Sequence, residues 1–219
     1  MIGLVVFDLD GTLVDSSLDI ANAANALIEE LGGARLSHEA IVGMVGEGAG
    51  VLVRRALTAA SLDPATPDAL DRFLAIYGPR LLEHTVAYDG MVEVLRWLAT
   101  RTPMAVLTNK PARATALILA GLGLRDYFGE VIGGDAPWGR KPDPAGLLHL
   151  AVAAGVAADR TLMVGDSPVD LETARRAGTR ICLARYGFGY RFTADDFRGD
   201  ELFVDAPSGI VDRLAAISG

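Results

Sequence analysis

The stretch Leu4-Val5-Val6-Phe7-Asp8-Leu9-Asp10-Gly11-Thr12-Leu13-Val14-Asp15-Ser16 opens on four apolar residues, then sets two carboxylates two positions apart before a glycine. A short apolar run closed by a Gly-containing polar turn predicts a buried strand over Leu4–Phe7. The signature recurs downstream. Met104–Leu107, Glu130–Ile132, Thr161–Val164 and Ile181–Leu183 are β-rich runs separated by segments of helical period. That alternation predicts an α/β fold with a Rossmann-like parallel sheet core. Three of the later runs also end in polar or glycine-containing turns: Thr108-Asn109-Lys110, Gly133-Gly134-Asp135 and Gly165-Asp166-Ser167. Open parallel sheets bind ligands at the carboxyl ends of their strands, so all four turns are expected to converge on one site.

Between Phe7 and Met104 the sequence contains no convincing strand. Helical periodicity predicts helices over Ser17–Leu31, with apolar positions at Leu18, Ala21, Leu27, Ile28 and Leu31, and over Ser37–Val45, Val51–Ala60, Pro67–Glu83 and Asp89–Thr100. The expected organisation is a core domain of residues 1–15 and 87–219 interrupted by an α-helical cap, residues 16–86. The helix from Asp89 belongs to the core in this reading.

A chain of 219 residues is long enough to bury a sizeable core. Its hydrophobic fraction of 51% raises the question of a membrane, but no uninterrupted apolar stretch approaches the roughly 20 residues a spanning helix needs. The N-terminus has no basic leader before Asp8, so a cytoplasmic location is expected. A net charge of −8 argues against a nucleic-acid partner, since binding a phosphate backbone needs a basic face. Cys182 is the single cysteine, which excludes an internal disulfide, and its apolar neighbours predict a packing role. Monomer and homodimer both remain open. The lysines are more telling: there are only two, Lys110 and Lys141.

Asp8 and Asp10 repel each other at a strand end, so something must compensate them. Magnesium is the natural candidate, being a hard cation that takes oxygen ligands from carboxylates and substrate phosphates. The cluster Gly165-Asp166-Ser167-Pro168-Val169-Asp170 follows another apolar run and can complete the same site. Either cluster alone is also compatible with a helix N-cap or a turn. Their joint occurrence at strand ends favours a site.

Asp8-Leu9-Asp10-Gly11-Thr12-Leu13-Val14-Asp15-Ser16, Thr108-Asn109-Lys110-Pro111, Lys141-Pro142-Asp143-Pro144 and Gly165-Asp166-Ser167-Pro168-Val169-Asp170 together resemble the four ordered motifs of the haloacid dehalogenase superfamily. More narrowly, they resemble its phosphoglycolate phosphatase-like branch, which carries its cap where this chain has its helical insertion. The resemblance implies a magnesium-dependent phosphatase acting on a small-molecule phosphate monoester, with 2-phosphoglycolate a candidate. Asp8 is then the nucleophile that forms an aspartyl-phosphate, and Asp10 the general acid and base. Thr108 and the backbone around Gly11 are expected to bind the phosphoryl group, Asn109 to orient the substrate or nucleophile, and Lys141 to neutralise phosphate and carboxylate charge. Magnesium is expected on Asp8, the Asp10 backbone carbonyl and Asp166, with Asp170 helping directly or through water.

Other families of the fold fit less well. Dehalogenases lack the second acid of the first motif, phosphonatases need a lysine in the cap where this insertion has none, and phosphomutases carry a histidine early in the first cap helix, where this chain reads Leu18-Asp19-Ile20-Ala21-Asn22. A phospho-aspartate signalling module also combines acids, magnesium, Thr and Lys, but has no use for the Asp10 position or a large insertion. His38, His84 and His149 show no metal-ligand spacing, and Trp97 and Trp138 read as packing residues. Gly43–Gly50 is glycine-rich but lacks the context and lysine of a nucleotide-binding loop, so it is expected to be a cap loop facing the site. Arg54, just inside the following helix, is the expected partner of a substrate carboxylate.

Overall fold

Leu4–Phe7 forms β1, the third strand of a six-stranded parallel sheet in a computed structural model whose description covers residues 1–216. The remaining strands of the sheet are β4 (Met104–Leu107), β5 (Glu130–Ile132), β6 (Thr161–Gly165), β7 (Arg180–Ala184) and β8 (Leu202–Val204), in the order β5-β4-β1-β6-β7-β8. Val6 of β1 lies beside Ala105 on one side and Met163 on the other. The order reverses at β1: the chain first builds outward through β4 and β5, then crosses to β6. A crevice opens at such a switch point because the flanking connections leave in opposite directions.

Alternate residues of β1 serve opposite faces, as the pleat of a strand requires. Val5 and Phe7 join one apolar cluster with Leu95 of α5 (Met91–Ala99), Ile118 of α6 (Ala112–Gly121) and Ile210 of α9 (Ser208–Ala216). Leu4 and Val6 join the other, with Leu147 and Leu150 of α7 (Ala145–Ala153) and Leu171 and Ala174 of α8 (Pro168–Ala177). Cys182 is fully buried in β7, as a packing residue should be.

The insertion consists of α1 (Ser17–Glu30), α2 (His38–Val42), α3 (Ala49–Ala59) and α4 (Ala69–Tyr77), packed on one another through α1. Contrary to the sequence reading, this region is not strand-free. Val14–Asp15 (β2) and Val86–Ala87 (β3) pair antiparallel where the chain leaves and re-enters the core. Strands of two residues carry no periodicity, so their sequences gave no signal. The predicted Ser37–Val45 helix stops at Val42, before Gly43, and Pro67–Glu83 shrinks to α4 followed by a single 3₁₀ turn over Gly78–Arg80, where Pro79 cannot donate to a continuing helix. Of the apolar positions expected in the first helix, Ala21, Leu27 and Ile28 are buried, Leu31 is half-buried and Leu18 is exposed, while Ile20 and Ala24 are buried as well.

Asp19 secures the return crossing. Its carboxylate, with no exposed side-chain surface, accepts hydrogen bonds from the backbone N–H groups of His84 and Thr85 and from the Thr85 hydroxyl at 2.7 Å. Burial alone raises its pKa, but these donors more than offset that and hold it below the usual carboxylate value. The stabilisation is therefore present above the ordinary aspartate range and is lost as pH falls through it. Asp19→Ala removes the acceptor and strands buried donors, so urea unfolding at pH 7 is expected to show a loss of about 2–3 kcal/mol. A loss under about 0.5 kcal/mol, the scatter of ordinary surface changes, would mean that water replaces the carboxylate.

Candidate active site

Asp8 continues β1, and its backbone N–H donates to the carbonyl of Val164 on β6 at 2.9 Å, so the nucleophile candidate is fixed to the neighbouring strand. The chain then turns, with Leu9 O accepting from the N–H groups of Leu13 and Val14. Gly11 has φ +82°, and a Cβ there would collide with the Asp166 carboxylate. Glycine is thus required twice over at this position. Asp166 and Ser167 follow β6, and Thr108, Asn109 and Lys110 follow β4, which places them around the same crevice.

Lys141 joins two of the acids. Its Nζ lies 2.8 Å from Asp8 Oδ1 and 2.6 Å from Asp170 Oδ1. Burial alone lowers the pKa of its ammonium, but Asp170 and Asp8 raise it above the usual lysine range, so it stays charged. The other oxygen of Asp170 accepts from the backbone N–H groups of Asp166 and Ser167 and from the Ser167 hydroxyl at 2.6 Å. Ser167 and Asp170 are a capping box at the N-terminus of α8, with Pro168 in the first turn. Asp170 therefore caps a helix and also orients Lys141. Both of its oxygens are engaged in this network, and it also belongs to the acidic group that can hold a cation.

Asp8, Asp166 and Asp170 bring carboxylate oxygens within 4.8 Å of one another. Burial pushes the Asp8 carboxyl up to about 6 against the pull of Lys141, with the Asp170 charge adding to the rise. Burial and then Asp170 and Asp8 raise Asp166 well above the usual range, although it accepts the Gly189 N–H at 2.7 Å. Carboxylates that resist ionisation in this way form a site that fits a hard cation.

Asp10 faces a different partner. Its Oδ1 accepts from Ser16 Oγ at 2.5 Å, and Lys110 Nζ lies 3.1 Å from both of its oxygens. Tyr77 of α4 closes this group, with its hydroxyl accepting from Lys110 Nζ at 2.6 Å. Thr108 lines the crevice, and its Oγ1 accepts from the Lys110 backbone N–H.

Three expectations change. Asn109 lines the crevice, yet both protons of its amide are committed: Nδ2 donates to the carbonyls of Gly46 and Lys141, at 2.9 Å each. Its side chain is therefore placed to hold the glycine-rich loop and the Lys141 segment, not to donate to a phosphoryl oxygen. Arg54 is exposed and does not line the crevice. The buried face of α3 is Leu52, Val53, Ala56 and Leu57, so the helix carries Arg54 out to solvent and presents Gly48, Ala49 and Leu52 inward. The fourth turn, Gly133-Gly134-Asp135, does not reach the crevice but supports it from behind, where Gly134 N–H donates to Lys110 O and Asp135 accepts from the first residue of α6. None of the three histidines lines the crevice; His84 lies with Asp19 and Glu83 in a second group of possible metal ligands, and His149 pairs with Glu130 at 2.8 Å and stacks on Trp138.

Sequence reasoning assigned no role to Lys110, Tyr77, Ser16 or the loop Gly187-Phe188-Gly189. For Lys110 the scarcity of lysine was the available signal. Gly187 and Gly189 are a glycine pair just after β7, and a Cβ at either would press on Asp166. Tyr77 and Ser16 had no signal, because only the folded insertion brings them here.

This geometry, carboxylates at the ends of β1 and β6 with a lysine between, belongs to a recognisable class. The model of the haloacid dehalogenase-like hydrolases matches residues 5–184, and the chain is a member of that family. Among individual proteins, it is 44% identical to a phosphoglycolate phosphatase of Rhodospirillum rubrum, over 97% of this chain and 95% of that one. A phosphoglycolate phosphatase of Chromobacterium violaceum is 40% identical over 96% of this chain and 95% of its own. A crystal structure from Haemophilus somnus, described as a predicted phosphoglycolate phosphatase, superimposes with a TM-score of 0.88 at 30% identity, covering 97% of this chain and 98% of that one. Among the described residues no helix is long and apolar enough to cross a membrane.

The raised Asp8 carboxyl yields a direct test. Its folded-state value of about 6 exceeds the ordinary 3.8, so the ionised group destabilises the metal-free fold, increasingly as pH rises between those values. In EDTA, Asp8→Asn is expected to melt above the wild type at pH 8, by on the order of 1 kcal/mol, with the difference vanishing toward pH 4. A lower melting temperature for the variant across that range would show that the Lys141 pair outweighs the burial.

Proposed function

We propose that this hydrolase is a magnesium-dependent phosphatase that cleaves a small-molecule phosphate monoester carrying a carboxylate, of the 2-phosphoglycolate class, through a phosphoryl group held on Asp8. The observation that carries the reading is the Lys141 ammonium between Asp8 and Asp170, beside Asp166, at the switch point of the sheet. The substrate class is supported by the names of relatives that match over nearly their whole length.

In this reading the Asp8 carboxylate attacks phosphorus, the ester oxygen departs with a proton from Asp10, and a mixed anhydride remains on Asp8. Water, deprotonated by Asp10, then displaces phosphate and restores the carboxylate. Lys141 holds Asp8 for the attack and offsets the charge of the phosphoryl oxygens, and the Thr108 hydroxyl donates to one of them. Asp8, the Asp10 carbonyl and Asp166 would hold magnesium, which draws charge from the phosphoryl oxygens when bound. Residues 16–86 act as a cap over a core of residues 1–15 and 87–219, and the cap wall of Leu52, Phe73 and Leu74 excludes water.

A phosphate-release panel of monoesters with magnesium tests the reading. 2-Phosphoglycolate is expected to exceed a neutral alkyl phosphate in kcat/KM by tenfold or more, about 1.4 kcal/mol of discrimination. No phosphate from any monoester would overturn it. Asp10→Asn is expected to accumulate phosphoprotein from an activated aryl phosphate, read by mass spectrometry after acid quench, since water activation is lost. Magnesium is expected to raise the melting temperature of EDTA-stripped protein more at pH 8 than at pH 5, because protons compete for Asp8. An equal shift at both pH values would place the ion elsewhere.

A further inference from the structure

Three segments meet at the Lys110 ammonium: Asp10 from the turn after β1, Lys110 itself from the turn after β4, and Tyr77 from the last residue of α4. An ammonium has three N–H donors. All three are committed, two to the oxygens of Asp10 at 3.1 Å and one to the Tyr77 hydroxyl at 2.6 Å. Lys110 and Tyr77 are both buried, at 6% and 4% exposure, so water does not substitute freely for either partner. Tyr77 is itself fixed, with its ring stacked on Phe73 at 5.6 Å within the packing of α4. Lys110 lines the crevice, but its three donors are spent on Asp10 and Tyr77, which leaves none for a phosphoryl oxygen.

We propose that Tyr77 is a positioning residue for the reaction, acting through Lys110 to set where the Asp10 carboxyl stands. The inference rests on the reading of Asp10 as general acid and base, and it adds the cap as a participant. With α4 seated, the tyrosine oxygen takes one ammonium proton and thereby aims the other two at the Asp10 oxygens. When α4 lifts, that acceptor leaves with it, and the ammonium is free to rotate and draw Asp10 off line. Ser16, the first residue of the insertion, donates to Asp10 Oδ1 at 2.5 Å, so the carboxyl is held by the insertion directly as well as through Lys110. A general acid must sit within hydrogen-bond reach of the departing oxygen, and small misplacements are costly. Closure of the cap and readiness of the acid are thus one event.

The experiment compares kcat/KM for 2-phosphoglycolate, whose alkoxide leaving group needs a proton, with kcat/KM for p-nitrophenyl phosphate, whose leaving group does not. Tyr77→Phe keeps the ring and its stacking but removes the hydroxyl. It is expected to lower the ratio of the two values about tenfold, a part of the 10²–10⁴ that general acid catalysis supplies, with the far-UV circular dichroism spectrum unchanged even where the stranded ammonium donor lowers the melting temperature. Lys110→Met is expected to lower the ratio at least as much, and Tyr77→Phe added to Lys110→Met to lower it no further, because the hydroxyl has no ammonium left to aim. Equal losses on both esters in Tyr77→Phe, an unchanged ratio, or independent losses in the double variant would each overturn the proposal. Asp10→Asn separates the two levels of the argument. If it lowers the ratio while Tyr77→Phe does not, only the positioning role fails; if it too leaves the ratio unchanged, the acid assignment falls and takes the inference with it.

Discussion

Carboxylates gathered where parallel strands end repel one another, and burial removes the water that would screen them. At 4 Å and an effective dielectric near 20, a like-charged pair costs about 4 kcal/mol, a large fraction of what holds a domain together. Here Asp8, Asp10 and Asp166 line one crevice with Asp170 buried beside it, and the chain's two lysines are both placed against these acids. Lys141 serves Asp8 and Asp170, and Lys110 serves Asp10. Much of the local structure follows from keeping this assembly together. Glycines at 11, 187 and 189 let the backbone close around Asp166, the capping box of α8 holds Asp170 toward Lys141, and the β1 register with β4 and β6 brings the three turns level.

The core was legible because its signals are local. β1, β4 and β5 begin and end where the apolar runs do, and β6 and β7 differ by a residue or two at their ends. β8 escaped notice as a three-residue edge strand whose placement depends on β7 having already formed. The acids stood out for a related reason, since charge immediately after a buried strand is expensive unless used, and Lys141 stood out because the chain has only one other lysine. Asn109 shows the limit. Its type and position suit phosphate binding, and only the fold shows that Gly46 and Lys141 carbonyls take both of its amide protons. Arg54 shows the same limit on a helix, where the direction of the buried face is decided by what packs on it.

The insertion reaches the site through few contacts, and each uses a different chemistry. Gly46 offers a backbone carbonyl to Asn109, Tyr77 a phenol oxygen to Lys110, and Ser16 a hydroxyl to Asp10. The wall between them is apolar, with Leu52, Phe73 and Leu74 facing the crevice. Polar contacts on an apolar surround combine geometric selectivity with exclusion of water, which strengthens every charge interaction beneath.

The pairing of Val14 with Ala87 and Asp15 with Val86 has a consequence for how such a chain changes over time. The polypeptide departs and returns at neighbouring points, so the sheet senses everything between as a loop whose ends are already joined. Doubling the length of a flexible loop costs only about 0.6 kcal/mol in closure entropy. Helices can then be added, lost or exchanged in that interval while the acids and lysines of the sheet edge stay in place. The insertion and the sheet can thus change as separable parts, joined at a ladder two residues long.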